Sequence, residues 1–292
     1  MTDTIRGTRA VGDDADERDD EDLGDKAAES PVVQGLGRAG LAARGTLYAI
    51  VGVLALQVAA GRTTQRPDQQ GALTAIAHQP LGKVLLVAAA VGFAGYAVWR
   101  LSAAFLDTEG DGTGPKGWAQ RAADLGRGLL YAGFCLTALR LVAGSSGDDR
   151  TKEADLTAAV LRAPLGRLAV AAIGLAVIGA GVYNGYRASS GNYRKKFDTG
   201  DMSRRARRWL PRVATVGLAA RAVVFGLVGT FLVRAAVRYD PNEAVGIDGA
   251  LQRLAHAPYG PALLAVVAAG LFTFGLFSFL EARYRRLMDR DV

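Results

Sequence analysis

Six long apolar runs constrain the fold of this 292-residue chain more than any other feature of its sequence. Each run has about the 20 residues that a helix needs to cross the hydrocarbon core of a bilayer. None of them alternates with the period of two expected of a half-buried strand. Because peptide groups in hydrocarbon must be hydrogen-bonded within their own segment, helices are the structure that fits. The sequence therefore predicts an all-α, polytopic integral membrane protein with six transmembrane helices at residues 41–60, 80–101, 125–143, 168–186, 213–236 and 261–280.

The N-terminal segment, residues 1–34, has the opposite character. It carries eleven carboxylates against four basic residues and almost no large apolar side chain. Such a segment cannot bury enough surface to offset its chain entropy. We therefore expect a disordered acidic tail ahead of the first membrane helix.

Basic residues are concentrated in alternate connections between the apolar runs. Residues 187–212, between the fourth and fifth runs, hold nine of them. Since Lys and Arg mark the cytoplasmic side, we expect a multi-pass protein of the cytoplasmic membrane with both termini inside. The formal net charge of +7 also raises nucleic acid as a partner, but this basic run is short and lacks an aromatic stacking platform. We expect membrane lipids, with anionic head groups at the cytoplasmic face, and no nucleic acid, while protein partners stay open.

The apolar runs form three copies of one two-helix unit. A Pro-x-Gly triplet opens the second helix of each copy, at Pro80, Pro164 and Pro258, and a short segment of helical period precedes each triplet. We interpret that segment as a brief amphipathic helix on the outer surface. Two spans per copy make the repeats parallel, and both a pseudo-threefold ring and a linear array fit. The predicted organisation is repeat 1 at 36–106, repeat 2 at 122–190, a basic cytoplasmic loop at 191–212 and repeat 3 at 213–287.

The opening of the first copy, G-x-x-x-R-G-x-x-Y at residues 40–48, and the stretch from Gly71 to Gly82 resemble the actinobacterial membrane family catalogued as domain of unknown function 1206. The resemblance implies three two-helix repeats and supplies no activity, cofactor or catalytic residue. The middle copy departs from the pattern, because Ala123, Asp155 and Arg162 replace Gly, Gly and His.

Three arginines at equivalent repeat positions, Arg44, Arg127 and Arg221, are the candidate site. A cation within a span is costly unless it reaches water, phosphate or a carboxylate. One interpretation makes them boundary residues that extend to lipid phosphates or cap helix ends. The other makes them a basic cluster that binds an anion or a lipid head group.

Other polar and aromatic residues carry weaker signals. His78 and His256 share one repeat position without further ligands at metal spacing, so we expect neither a metal nor a cofactor. Glu281 is the only acid that touches a predicted span, and we expect water to reach it. An aromatic residue stands at one shared position in the second helix of each repeat, and we expect it to anchor that helix at the inner boundary of the membrane. These residues are Trp99, Tyr183 and Phe277.

These features favour a non-enzymatic membrane platform or interaction protein. The alternative is a transporter or channel for an anion or a small amphiphile, with the three arginines along its path. A membrane enzyme is the least favoured function, because the sequence shows no recognisable nucleophile, general base or metal set.

Overall fold

The computed structural model describes residues 31–63, 65–106, 114–144, 165–197, 200, 202–238, 240 and 243–284. The predicted acidic tail therefore lies outside the described residues apart from its last four positions. The amphipathic segment of the middle repeat also lies outside them.

Eight α-helices and one 3-10 helix form within the described residues, and six of these α-helices are long and apolar enough to cross a membrane. The predicted polytopic all-α architecture is confirmed. The six long helices are α1 (Pro31–Ala59), α3 (Gly82–Leu106), α4 (Pro115–Val142), α5 (Gly166–Ser190), α6 (Arg204–Arg238) and α8 (Gly260–Tyr284). The short helices are α2 (Gln69–Ala77), α7 (Ile247–Ala255) and the 3-10 helix Asn192–Lys196.

The basic segment 191–212 is not simply a loop, which corrects the sequence-based expectation. Its described residues form the 3-10 helix and then the first turns of α6, which begins at Arg204 and not near residue 213. Arginine has a high helix propensity, so a charged run can extend a membrane helix beyond the hydrocarbon core. Hydropathy detects only the apolar part of such a helix, and α4 likewise begins ten residues before the apolar run at 125.

The repeat is visible in the backbone as well as in the sequence. Leu81, Leu165 and Tyr259, the central residues of the three Pro-x-Gly triplets, all have left-handed φ angles of 58–67°. The glycine that follows is required by a close approach, because a Cβ on Gly82 would lie 2.5 Å from the carbonyl oxygen of Ala77. The same strained turn therefore joins short helix to membrane helix in repeats 1 and 3, and the middle copy keeps its left-handed residue.

The membrane helices pack in the order α4, α3, α1, α8, α6, α5. The most extensive contacts are between repeats, where α3 meets α4, α5 meets α6 and α8 meets α1. This row of helices is curved, because Arg221 of α6 lies against the ring of Tyr48 on α1, two helices away. The contacts thus follow the order of a ring in which one interhelical contact, the joint between α4 and α5, is open.

The open joint lies between α4 and α5, the two membrane helices of repeat 2, which do not pack on each other within the described residues. In the other repeats a glycine of the first helix contacts an aromatic residue of the second. A Cβ on Gly40 would lie 2.2 Å from Tyr96 Cβ, and one on Gly217 would lie 2.6 Å from Phe274 Cα. The equivalent residues of repeat 2 are Ala123 and Ala180, so both halves of the contact are replaced.

Aromatic side chains fill the centre of the bundle. Trp99 and Phe277, expected as boundary anchors, are each 1% exposed, so that prediction is wrong for both. Tyr183, their equivalent in repeat 2, is 57% exposed. The difference follows from packing, because α5 buries only a narrow stripe against α6 while α3 and α8 are covered on two sides.

A polar clasp joins repeats 1 and 3 at the end of the bundle that carries α2 and α7. Asp68 caps α2 by accepting the Gly71 amide at 2.7 Å, and Arg66 bonds Asp68 at 2.8 Å and Asp248 of α7 at 3.5 Å. Burial raises the pKa of the Asp68 carboxyl, and the charge of Asp248 acts in the same direction. The clasp holds the two short helices together across the repeat boundary.

Candidate functional site

Arg44 of α1 is buried in an ion pair between helices. Its guanidinium donates to the carboxylate of Glu281 on α8, and further bonds run to Ser278 Oγ and Tyr96 Oη, each at 3.3 Å. Arg44 is 8% exposed and Glu281 is 4% exposed. The expectation that water reaches Glu281 is therefore wrong, and the pair lies across the α8–α1 joint.

A second ion pair lies across the α3–α4 joint. Arg100 Nη1 donates to Asp124 Oδ1 at 2.9 Å, and Arg100 Nε donates to Tyr96 Oη at 3.2 Å. Arg127 pairs with the same Asp124 carboxylate from one turn along α4. Asp124 is 2% exposed, whereas the Arg127 side chain remains 47% exposed. Tyr96 thus links both ion pairs through one hydroxyl group.

Arg221 of α6 is enclosed by aromatic rings and has no carboxylate partner among the described residues. Its guanidinium carbon lies 5.4, 4.7 and 4.5 Å from the ring centroids of Tyr48, Phe225 and Phe274. Arg44 lies over the same Phe274 ring at 5.5 Å. The Nε of Arg221 is buried and lacks a hydrogen-bond partner. Cation–π contacts offset part of the cost of burying this charge.

These groups form one arginine cluster, made of Arg44, Arg100, Arg127 and Arg221 with the carboxylates of Asp124 and Glu281. Among the residues that the structure describes, the four cations of the cluster face two anions, an excess of two positive charges. Planar guanidinium groups present paired donors that match carboxylate or phosphate. The cluster is chemically suited to accept one further anion.

Comparison of equivalent positions in the repeats shows a difference in charge between two interhelical joints. Glu281 stands 23 residues after its repeat proline, and the residue at that position of repeat 2 is Arg187. The joint between α8 and α1 therefore pairs Glu281 with Arg44, while the equivalent positions at the α5–α6 joint are Arg187 and Arg221. Repeat 2 thus has a base, Arg187, at the sequence position that holds the acid Glu281 in repeat 3.

The structure brings the three arginines chosen from sequence into one region, whereas their use as an anion or lipid contact stays a prediction. Sequence reasoning missed Arg100, which lies at the end of the run 80–101 and was counted only as a charge of the following connection, and Asp124, which lies one residue before the run 125–143. The number of acids in the spans is also corrected, since Asp124 lies within α4. The signal that could have found them is spacing, because Asp124 and Arg127 lie on one helix face.

The two histidines cap the short helices. The Nδ1 atoms of His78 and His256 lie 2.8 Å from the carbonyl oxygens of Thr74 and Gln252, one turn earlier. Both therefore have the same local role in repeats 1 and 3, at the C-terminal ends of α2 and α7.

Comparison with known proteins gives two matches. A family model described as Domain of Unknown Function (DUF1206) matches residues 39–107, 122–191 and 216–285. The uncharacterized protein YxxB of Bacillus subtilis (strain 168) is 31% identical over 262 residues, which cover 90% of this chain and 94% of that relative. Similar chains thus occur outside the actinobacteria named in the resemblance. No solved structure matches this chain.

Proposed function

This chain belongs to the family described as Domain of Unknown Function 1206, and we propose that it is a non-enzymatic membrane platform whose arginine cluster binds an anionic lipid head group. The observation that carries the proposal is the charge of the cluster, with four arginines for two carboxylates. A lipid phosphate would supply the missing negative charge and would accept hydrogen bonds from guanidinium groups.

Arg221 is the central residue of this proposal. Arg44 and Arg100 already have buried carboxylate partners, whereas Arg221 has three aromatic rings and an unpaired Nε. Isolated cations inside a membrane protein are costly and tend to serve a function. An anion that reaches Arg221 would therefore gain more binding free energy than an anion that reaches the paired arginines.

The second candidate is a transporter or channel for an anion or a small amphiphile. The open joint favours it, because a gap between two helices is a route into the bundle. The aromatic side chains that fill the centre, among them Phe93, Tyr96 and Phe274, favour the platform. Anion flux into liposomes that contain the purified protein, lost on Arg221→Ala, would support transport instead.

Lysine substitution tests the head-group proposal. We expect Arg221→Lys to lower the anionic phospholipid retained through detergent purification by about tenfold, the factor that corresponds to about 1.4 kcal/mol of lost charge-assisted bonding. Lysine keeps the charge but lacks the planar pair of donors. The measurement is lipid mass spectrometry per mole of protein, with thermal stability followed in parallel.

The matched control changes Arg204, Arg205 and Arg208 to lysine, since all three are exposed at the start of α6. Their point charges attract anionic lipid equally well as lysines, so retention should stay at the wild-type level. Unchanged lipid in Arg44→Lys/Arg127→Lys/Arg221→Lys would rule out the head-group site and leave a platform without lipid recognition.

We also propose that both termini and the basic segment 191–212 face the cytoplasm, as the distribution of Lys and Arg indicates. In a Cys135→Ser background, Gln65→Cys should react with an impermeant thiol reagent on intact cells. Ser203→Cys should react only after the cells are opened. Both positions are exposed, so accessibility within the fold does not bias the comparison. The opposite labelling pattern would show that the termini and the basic segment face the other side of the membrane.

A further inference from the structure

The open joint between α4 and α5 gives the arginine cluster a side that faces the lipid. Ala123, Arg127 and Leu130 follow the i, i+4, i+7 spacing of one helix face, and all three are exposed. Cβ atoms on Gly126 and Gly133 of the same helix would meet nothing within 4 Å. The α4 wall of the opening is therefore apolar between two cations, with Arg127 toward one end and the exposed Arg140, seven residues after Gly133, at the other.

The α5 wall is apolar in the same way. Ile173 and Ala176 occupy the positions that face the first helix in repeat 1, where the equivalent Gly92 contacts Ala43. In repeat 2 both are exposed, Ile173 by 55%. Within the described residues, α4 and α5 lack the extensive contact that closes the other two repeats.

The cluster lies at the inner edge of this opening. Tyr131 of α4 is buried, and its ring centroid lies 4.4 Å from that of Tyr96, which Arg44 of α1 also contacts. Arg44 and Arg221 of α6 in turn lie over the same Phe274 ring. Residues from α1, α4 and α6 therefore converge behind the open joint. Arg127 pairs with the buried Asp124 while its side chain stays 47% exposed.

We infer that the open joint is a lateral site for one anionic phospholipid, with its head group against Arg127 and Arg221 and its acyl chains between α4 and α5. The inference rests on the proposed function and adds the position and the class of the ligand. The occupant is a lipid because the walls are largely apolar, and it is anionic because the described residues of the cluster hold four cations and two anions. Each arginine that meets the head group favours an anionic over a zwitterionic lipid by about fivefold.

Fluorescence quenching by brominated lipids tests the site in the full-length protein. Leu130 and Ile173 line the opening and are 54% and 55% exposed. Leu136 and Leu175 are matched controls on the outer faces of the same helices, at 56% and 61%. Each is replaced by a labelled cysteine in a Cys135→Ser background, and the protein is placed in bilayers that contain brominated phosphatidylglycerol or brominated phosphatidylcholine.

We expect brominated phosphatidylglycerol to quench labels at 130 and 173 several times more effectively than phosphatidylcholine, and both lipids to quench labels at 136 and 175 equally. Arg127→Gln with Arg221→Gln should abolish the preference at 130 and 173. Equal quenching at all four positions would overturn the lateral site, even if the lysine variants lose bound lipid and so uphold the proposed function. If the arginine variants keep both the bound lipid and the preference for phosphatidylglycerol, the lateral site and the proposed function are both overturned. Disulfide-linked dimers of Leu130→Cys would instead assign the opening to a second copy of the chain.

Discussion

Replacement of Glu281 by alanine should destabilise the folded protein in detergent by about 3–5 kcal/mol, because Arg44 would remain buried without its carboxylate. The loss corresponds to a fall in melting temperature of roughly 10 °C or more. Intrinsic tryptophan fluorescence during thermal unfolding measures it, since Trp99 lies in the buried core.

Two controls separate the ion pair from a general loss of charge. Arg44→Met/Glu281→Leu removes both charges and should recover most of the stability, since apolar residues of similar volume often replace a buried pair without cost. Glu243→Ala removes a carboxylate that pairs with two half-exposed arginines, Arg234 and Arg238, and should change stability far less. Equal melting temperatures for Glu281→Ala and Glu243→Ala would contradict a buried pair.

Gly40→Ala and Gly217→Ala should each destabilise the protein by about 1–3 kcal/mol. The added methyl groups would lie 2.2 Å from Tyr96 Cβ and 2.6 Å from Phe274 Cα, so α1 must separate from α3, or α6 from α8. The free energy of unfolding in a mild denaturing detergent measures the change.

The middle repeat supplies the comparison for this prediction. Gly126→Ala and Gly133→Ala place a methyl group on α4 where nothing lies within 4 Å. Removal of a helical glycine should then leave stability unchanged or raise it by up to about 1 kcal/mol. A loss at Gly126 or Gly133 as large as that at Gly40 would show that the α4–α5 joint is closed in the membrane.

The six membrane helices were predictable because each is set by a single local property, the length of an apolar run. Helix ends were less predictable, since the charged turns at Arg204 and Pro115 are helical for reasons that hydropathy does not register. The short helices before Pro80 and Pro258 also followed from sequence, because repetition strengthens a weak periodic signal. The packing order did not, because helix contacts depend on which small residues meet which large ones.

The open joint could have been predicted from a comparison of the three copies. Positions occupied by glycine and an aromatic residue in repeats 1 and 3 are Ala123 and Ala180 in repeat 2, and only the first departure was recognised. The loss of the second partner is what removes the contact. A repeat alignment becomes a packing prediction once both sides of each contact are compared.

The arginines of the site were predictable from their equivalence, but their partners were not. The spans drawn from apolar runs were 125–143 and 261–280, so Asp124 and Glu281 each fell one residue outside them. In the structure both carboxylates are buried, because an oppositely charged group on a neighbouring helix compensates them. Boundary rules treat each charge as isolated and therefore fail at interhelical ion pairs.

The joint between α8 and α1 has a consequence for biosynthesis. Arg44 and Glu281 are separated by 237 residues, so the first membrane helix leaves the ribosome long before its carboxylate partner is made. At about 5–20 residues per second, this interval is roughly 10–50 s. During that time Tyr96, which follows Arg44 by only 52 residues, and the lipid phosphates can bind the guanidinium, but neither supplies the buried carboxylate. The last membrane helix described, α8, then completes the environment of the first.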